Sequence, residues 1–493
     1  MIARAKTRQL RRELSEAQTY EQWREVAEDV DRHTGAWEWR AIDRSEDYDY
    51  KLVRARTAEL RRLRAENRAD ALLHELRQGL HWNLGNMGNA ALYQPSLVGT
   101  KHLIEQYLDE VTTAMDWLCD SHFNSVTRAD KLELFESIGR SYGRSALMLS
   151  GGATLGLFHV GVVRSLYLQD LLPDVLSGSS AGSVVGMALG SRSRSEAEAL
   201  LDPENIYVDN WGLLPLFEAW RRGGLMDQNK LRRGIAANIP DVTFEEGHAV
   251  SGLSMNITVS PVAANQPARL LNYLTFPYLY AREAVLASCA VPLLFPPVQM
   301  ATRNMQGRRE AYMPSLRWAD GSLKSDLPRM RLRRLFNVNH FIVSQTNPHV
   351  LPFIHSGDPH ARGISNALRH VVYDTVRVGA RNALHAVRAN LPRPLDRTRQ
   401  SLDDIHGILE QDYRGNVTIM PRLDLRNYAR VIRNPTDGDV MRMIRQGELA
   451  AWPKIAMVRD QTIINRTISA CLERLRKQPG AGAERPKSIA ESA

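Results

Sequence analysis

The stretch from 145 to 190, SALMLSGGATLGLFHVGVVRSLYLQDLLPDVLSGSSAGSVVGMALG, narrows the folding options of this chain more than any other. An apolar run, Ala146 to Leu149, breaks at Gly151-Gly152, and apolar residues at helical spacing follow from about Gly156. A second short run, Asp174 to Leu176, enters Gly178-Ser179-Ser180-Ala181-Gly182, and another helix leaves through Val184 and Val185. Two successive units of strand, glycine turn and helix predict a βαβ pattern, and with it an α/β fold built on a mostly parallel sheet.

The second turn reads G-x-S-x-G, which puts Ser180 at the apex of a nucleophile elbow. A serine at so sharp a strand-to-helix corner sits in a strained backbone conformation, and side chains two positions to either side would collide. Gly178 and Gly182 fill those positions. A tetrahedral intermediate needs fixed donors for its oxyanion, and the first turn offers the N–H groups of Gly151, Gly152 and Ala153 at a helix N-terminus. A phosphate loop is the competing reading of that turn. No Gly-Lys-Ser/Thr follows, however, and Gly152 to Gly156 matches a dinucleotide fingerprint only in part. A third stretch, Trp318-Ala319-Asp320-Gly321-Ser322 with Asp326-Leu327-Pro328 behind it, sets an aspartate before a glycine. Such a pair is either an ordinary turn or the base that Ser180 requires.

In this order the three stretches resemble the patatin-like acyl hydrolases, which use a Ser-Asp dyad without histidine. The resemblance implies a three-layer α/β/α fold, with Ser180 as nucleophile, Asp320 as general base and the Gly151, Gly152, Ala153 turn as oxyanion hole. Gly156, Gly178, Gly182 and Gly321 are then the motif glycines. Ala287-Ser288-Cys289-Ala290-Val291-Pro292 with Phe295-Pro296-Pro297 is similar to a further stretch of that family. His81 to Tyr93, Leu108 to Val111 and Leu335 to Val350 resemble its triacylglycerol-lipase branch, which carries a helical N-terminal extension. The likeness covers roughly residues 1 to 440. Where many members have a third glycine and a cation in the first turn, this chain has Ala153 and Leu155, and its first strand ends in Ser150 in place of the frequent aspartate.

The resemblance implies hydrolysis of fatty-acyl esters of glycerolipids through an acyl-enzyme, without metal or organic cofactor. Transfer of the acyl group to a lysolipid or glycerol would use the same intermediate and stays open, as does a lipid-surface binding role with a vestigial dyad.

Three cysteines, Cys119, Cys289 and Cys471, have neither disulfide nor zinc spacing and suit a reducing compartment. The first residues lack the apolar core of a secretory signal, and no uncharged apolar run reaches membrane-spanning length. The expectation is a cytoplasmic protein that touches a membrane or lipid droplet only peripherally. Of the net charge of +9, much falls between 361 and 400, where eight arginines face two aspartates. A solvated helix face and an anionic lipid surface both fit this stretch; nucleic acid does not, since no recognised binding module accompanies the charge.

The expected domains are a helical extension over 1–140, a catalytic domain over 141–350, a basic C-terminal segment over 351–477 that returns to the sheet, and a disordered tail over 478–493. Trp37, Trp39, Tyr48 and Tyr50 in the extension read as inter-helix packing or as a membrane belt. Trp211 to Trp220 reads as groove lining, a lid or plain packing. His81, His122 and His159 are assigned structural roles. Oligomeric state is not readable.

Overall fold

Apolar runs cut by glycine turns become a sheet here because each run is buried on both faces. The computed structural model describes residues 2–263, 266–322, 326–348, 413–422, 431 and 433–477. Among the described residues nine strands form: β1 (Arg144–Leu149), β2 (Val175–Gly178), β3 (Ser254–Pro261), β4 (Arg269–Leu271), β5 (Ala301–Arg303), β6 (Arg309–Ala311), β7 (Trp318–Asp320), β8 (Val338–Ser344) and β9 (Val417–Ile419). Every residue of β2 and β3 is buried, as parallel strands with helices on both faces require. The main sheet runs β4-β3-β2-β1-β8-β9, with β7 also on β3, while β5 and β6 make a separate hairpin. β1, β2 and β3 pair in parallel, as do β8 and β9; β4 and β7 pair with β3 antiparallel.

One register matters most. Val259 of β3 lies opposite Arg269 of β4 and also opposite Asp320 of β7. A strand residue has only two edges, so β7 must run along the same side of β3 as β2. β2 ends with Gly178 opposite Ile257. Asp320, opposite Val259, therefore lies two residues past the end of β2, where the chain turns through Ser179 and Ser180.

The helix Leu157–Leu168 leaves the first glycine turn and packs on the helix Asp437–Ala451. Glycines set how close they come: a Cβ on Gly161 would lie 1.9 Å from the Ile444 carbonyl oxygen, and one on Gly447 2.2 Å from that of Phe158. Beneath the sheet, Ala146, Met148, Val175, Phe341 and Val343 share one core with Leu332 and Phe336. Large apolar side chains buried in this way contribute about 1.5–3 kcal/mol each.

The described residues form two units, Ser145 to Ile455 and the remainder. In the second unit the helices Tyr20–Thr34, Tyr50–Ala65 and Arg128–Tyr142 start at Thr19, Asp49 and Thr127, whose side chains accept main-chain N–H bonds; Thr127 and Asp130 make a full capping box. The apolar stripes of the helices Tyr50–Ala65 and Arg128–Tyr142 meet Leu103, Ile104, Tyr107 and Val111 of the helix His102–Asp120 in one core, which Ile464, Ile468, Cys471 and Leu475 complete. The last helix, Ile455–Lys477, thus packs with the N-terminal helices, whereas β9 joins the sheet. Tyr48 is buried in this core with Trp39 and Tyr50 against it, and Trp37 lies under Arg32 and Arg40 and meets His102 edge to face. These aromatics pack between helices.

The strand expected over Arg269 to Thr275 stops at Leu271 because Asn272 turns the chain. Its Oδ1 accepts the N–H groups of Leu274 and Thr275, an Asx turn. The basic stretch from 361 to 400 and the tail from 478 lie outside the described residues.

Candidate functional site

Ser180 sits between β2 and the helix Ala181–Leu189 with φ 49° and ψ −121°, a conformation that costs a non-glycine residue on the order of 1–3 kcal/mol. Its neighbours are fitted to that corner. A Cβ on Gly178 would lie 2.4 Å from the Gly182 carbonyl oxygen, and one on Gly182 2.2 Å from that of Leu149. The Ser180 N–H donates to Ser288 Oγ at 2.9 Å, and the same hydroxyl donates to the Thr258 carbonyl at 2.8 Å. Ser288, 108 residues downstream, therefore ties the strained corner to β3.

Two residues on, the Ala290 carbonyl accepts the Asp320 N–H at 3.0 Å. The segment 288–290 thus holds both the serine corner and the end of β7. Ser180 and Asp320 line the same cavity, and Asp320 Oδ1 accepts the Ser322 N–H at 2.7 Å. Burial raises the Asp320 carboxyl from 3.8 to about 6, against the opposing influence of Ser322 and Ser180. Gly321 leaves no room for a side chain, since a Cβ there would meet the Thr258 carbonyl at 2.5 Å.

The first glycine turn faces the same place. Gly151, Gly152, Ala153, Gly156, Ser180 and Asp320 line one cavity of about 460 Å³, within the usual range for small-ligand sites. The three N–H groups of the turn differ, however. That of Gly151 donates to Asp326 Oδ1 at 2.9 Å, so it is engaged within the fold. Gly152 and Ala153 begin a short 3-10 turn (Ala153–Gly156), where N–H groups have no intrahelical acceptor. Thr346 crowds Gly152, with its Oγ1 2.2 Å from where a Cβ would be. Ala153, with φ 50°, holds the left-handed conformation that glycine takes more readily. Gly156 lets the turn approach the corner, a Cβ there falling 2.5 Å from that of Ala181.

Asp326 and Ser288 stand in the quoted motifs, yet nothing local in the sequence assigns them these contacts. Asp326 Oδ2 accepts Asn347 Nδ2 at 3.3 Å, and its main-chain carbonyl accepts the Ser179 hydroxyl at 3.0 Å. Burial, with Asp320 nearby, raises its carboxyl to about 7. His159 is fully buried, its Nε2 2.9 Å from the Ser150 carbonyl and its Nδ1 2.7 Å from Ser344 Oγ. A carbonyl only accepts, so Nε2 carries the proton and Nδ1 accepts from Ser344. Burial lowers its pKa to about 4, which leaves it neutral, pinning the end of β1 to β8. His81 and His122 are exposed, and among the described residues no cluster of potential ligands could hold a metal ion.

Away from Ser180 and Asp320 the cavity wall is mostly apolar, including Val184, Val185, Leu201, Ile206, Trp211 and Phe295. Trp211 is held there by an indole N–H bond to Thr154 Oγ1 at 3.0 Å. Of the rest of the Trp211 to Trp220 segment only Ala219 is buried, while Leu213, Leu216, Phe217 and Trp220 are all exposed. Cys289 also lines the cavity, and burial pushes its thiol up to about 12, so it stays protonated. All three cysteines are free and buried.

Residues 1–140 match the family model of a domain of unknown function (DUF3336), and residues 147–332 match that of the patatin-like phospholipases. The chain is 33% identical over 483 residues to triacylglycerol lipase ptl3 of Schizosaccharomyces pombe, covering 95% of this chain and 98% of that protein. It is 34% identical over 465 residues to triacylglycerol lipase 4 of Saccharomyces cerevisiae, covering 90% and 50%. To triacylglycerol lipase SDP1L of Arabidopsis thaliana it is 31% identical over 482 residues, covering 92% and 57%. The chain thus spans nearly all of the fission-yeast protein and about half the length of the other two. On these similarities, and with a mostly parallel sheet behind the serine corner, the chain belongs to the patatin-like phospholipase family of ester hydrolases, in the branch that joins the patatin domain to this helical N-terminal domain.

Proposed function

We propose that this protein hydrolyses fatty-acyl esters of glycerolipids, triacylglycerol among them, through an acyl-enzyme on Ser180. Asp320 accepts the hydroxyl proton as Ser180 Oγ attacks the ester carbonyl carbon. The N–H groups of Gly152 and Ala153 stabilise the resulting oxyanion. Collapse of the tetrahedral intermediate breaks the bond to the glyceryl oxygen, which takes the proton from Asp320 and departs as the alcohol. Water then adds to the acyl-enzyme, giving its proton to Asp320, and the fatty acid leaves as Ser180 regains a proton.

The observation that carries the reading is the placement of Ser180, on its strained corner, and Asp320 in the wall of one mostly apolar cavity. Burial supports it further, because a carboxylate raised to about 6 is a stronger base than an exposed one and is still ionised at neutral pH. The names of the relatives favour triacylglycerol among glycerolipids. Among the described residues no helix is long and apolar enough to cross a membrane, which is compatible with peripheral action at a membrane or droplet surface. The test is hydrolysis of a triacylglycerol, a diacylglycerol and a phospholipid by wild type, Ser180→Ala and Asp320→Asn, with fluorophosphonate labelling of each. The reading expects both variants to be inactive, with label on Ser180 in wild type alone. An active Ser180→Ala enzyme would end it.

A further inference from the structure

Outside the cavity the most unusual surface is an apolar one. Leu213, Leu216, Phe217, Trp220 and Leu293 are each at least 72% exposed. Solvated surfaces scatter such residues singly, whereas a cluster marks a place where something else binds. These residues do cluster. Leu216, Phe217 and Trp220 share one side of the helix Leu216–Arg222, with buried Ala219 as its inward anchor. The chain then turns at Gly223 and pairs with the loop that carries Leu293: the Leu225 N–H donates to the Leu293 carbonyl at 3.2 Å, and the Met226 N–H to the Leu294 carbonyl at 2.9 Å.

Leu293 adds an independent sign. Its φ is 71°, a conformation that disfavours leucine, and its side chain points away from the protein with 84% exposure. An apolar side chain kept in strained backbone without any burial gains nothing from the fold itself.

Both segments continue into the cavity. Trp211 lies two residues before Leu213, Leu294 and Phe295 directly follow Leu293, and all three line the wall beside Ser180. Arg221 stands exposed in the last turn of the same helix, where it suits anionic headgroups, while Arg222 beside it pairs with Glu218 and Asp227.

We propose that the helix Leu216–Arg222 and the Leu293 loop insert into a glycerolipid surface, so that an acyl chain passes from lipid to cavity without crossing water. This rests on the hydrolase reading for its purpose but not for its test. A protein partner fits less well, because the patch continues into a site whose proposed substrate is itself a component of lipid surfaces.

The experiment compares the full chain with a Leu216→Ser, Phe217→Ser, Trp220→Ser variant and, separately, with Leu293→Asn, since asparagine tolerates positive φ. Each is floated with phosphatidylcholine vesicles with and without phosphatidylserine, and assayed on a phosphatidylcholine-coated triolein emulsion and on soluble p-nitrophenyl butyrate. The expected result is soluble-ester turnover within about twofold of wild type, with flotation and emulsion turnover each reduced roughly tenfold or more in the triple variant and in the same direction in Leu293→Asn. Undiminished flotation of both variants would overturn the proposal. So would a wild-type dimer that the substitutions turn into a monomer with vesicle binding unchanged, which would assign the face to a second copy. If wild type floats through this face yet hydrolyses neither ester, the docking stands and the hydrolase reading falls. Hydrolysis of both esters without flotation gives the reverse.

Discussion

Replacing Asp320 with asparagine should destroy activity and at the same time make the protein more stable. The carboxyl is buried and raised from 3.8 to about 6. For an acid, a folded-state pKa above the unfolded value means that folding favours the protonated form. The native state is then penalised wherever the group is ionised in the fold, and the penalty disappears as the pH falls through about 6 towards the unfolded value. At neutral pH that displacement corresponds to about 3 kcal/mol. Asparagine carries no charge, and its oxygen can keep the bond from the Ser322 N–H. Its amide adds donors that need partners, a cost of about 1 kcal/mol if one goes unmet, so the expected net gain is about 2 kcal/mol. For a unit of this size that is a rise of several degrees in melting temperature. The assay is thermal unfolding of both proteins from pH 8 down to pH 5, alongside turnover of a soluble ester. Asp320→Asn should melt higher at pH 8, with the gap narrowing towards pH 5. A variant that melts lower at pH 8, or a gap that does not change with pH, would refute the reasoning, since the buried charge would then not be what strains this site.

The same carboxyl sets a pH–rate profile: kcat/KM on a soluble ester should rise with pH through about 6 and then level, as Asp320 ionises. A His159→Gln enzyme, measured in parallel, should keep that midpoint, because the imidazole is neutral throughout and faces Ser150 and Ser344. Ser288→Ala removes the acceptor of the Ser180 N–H and the donor to the Thr258 carbonyl. It should cost about 1–3 kcal/mol for each buried group left unpaired, and slow fluorophosphonate labelling of Ser180 by roughly a hundredfold as the corner relaxes. Gly161→Ala places a methyl 1.9 Å from the Ile444 carbonyl oxygen. It should lower the melting temperature by an amount equivalent to about 1–3 kcal/mol, while the pH midpoint of the residual activity stays where it was.

What the chain declares locally, it declares well. The serine corner can be read from five residues because its geometry is a short-range problem: φ at Ser180 is positive, and two flanking Cβ atoms would strike main chain only a few residues away or on the adjoining strand. β1, the helix that follows it and β2 are likewise legible from continuous apolar runs and glycine punctuation, since they are buried on nearly every side. Asn272 already shows the limit, as a strand pattern was cut short by one side chain that bonds back to the chain.

Tertiary structure decided the rest, for the reason that its contacts join residues far apart in sequence. Asp320 comes to the cavity that Ser180 lines because Val259 pairs across both of its edges, a register that no motif encodes. Ser288 and Asp326 tie the corner and the glycine turn over separations of 108 and 175 residues, and the capture of the Gly151 N–H by Asp326 leaves Gly152 and Ala153 as the candidate oxyanion donors. Sequence could name Trp211 to Trp220 as apolar, but not which of its side chains would turn inward. That choice depends on Thr154, 57 residues before Trp211, and on the loop that carries Leu293, and it leaves Trp211 in the cavity and Phe217 and Trp220 facing out.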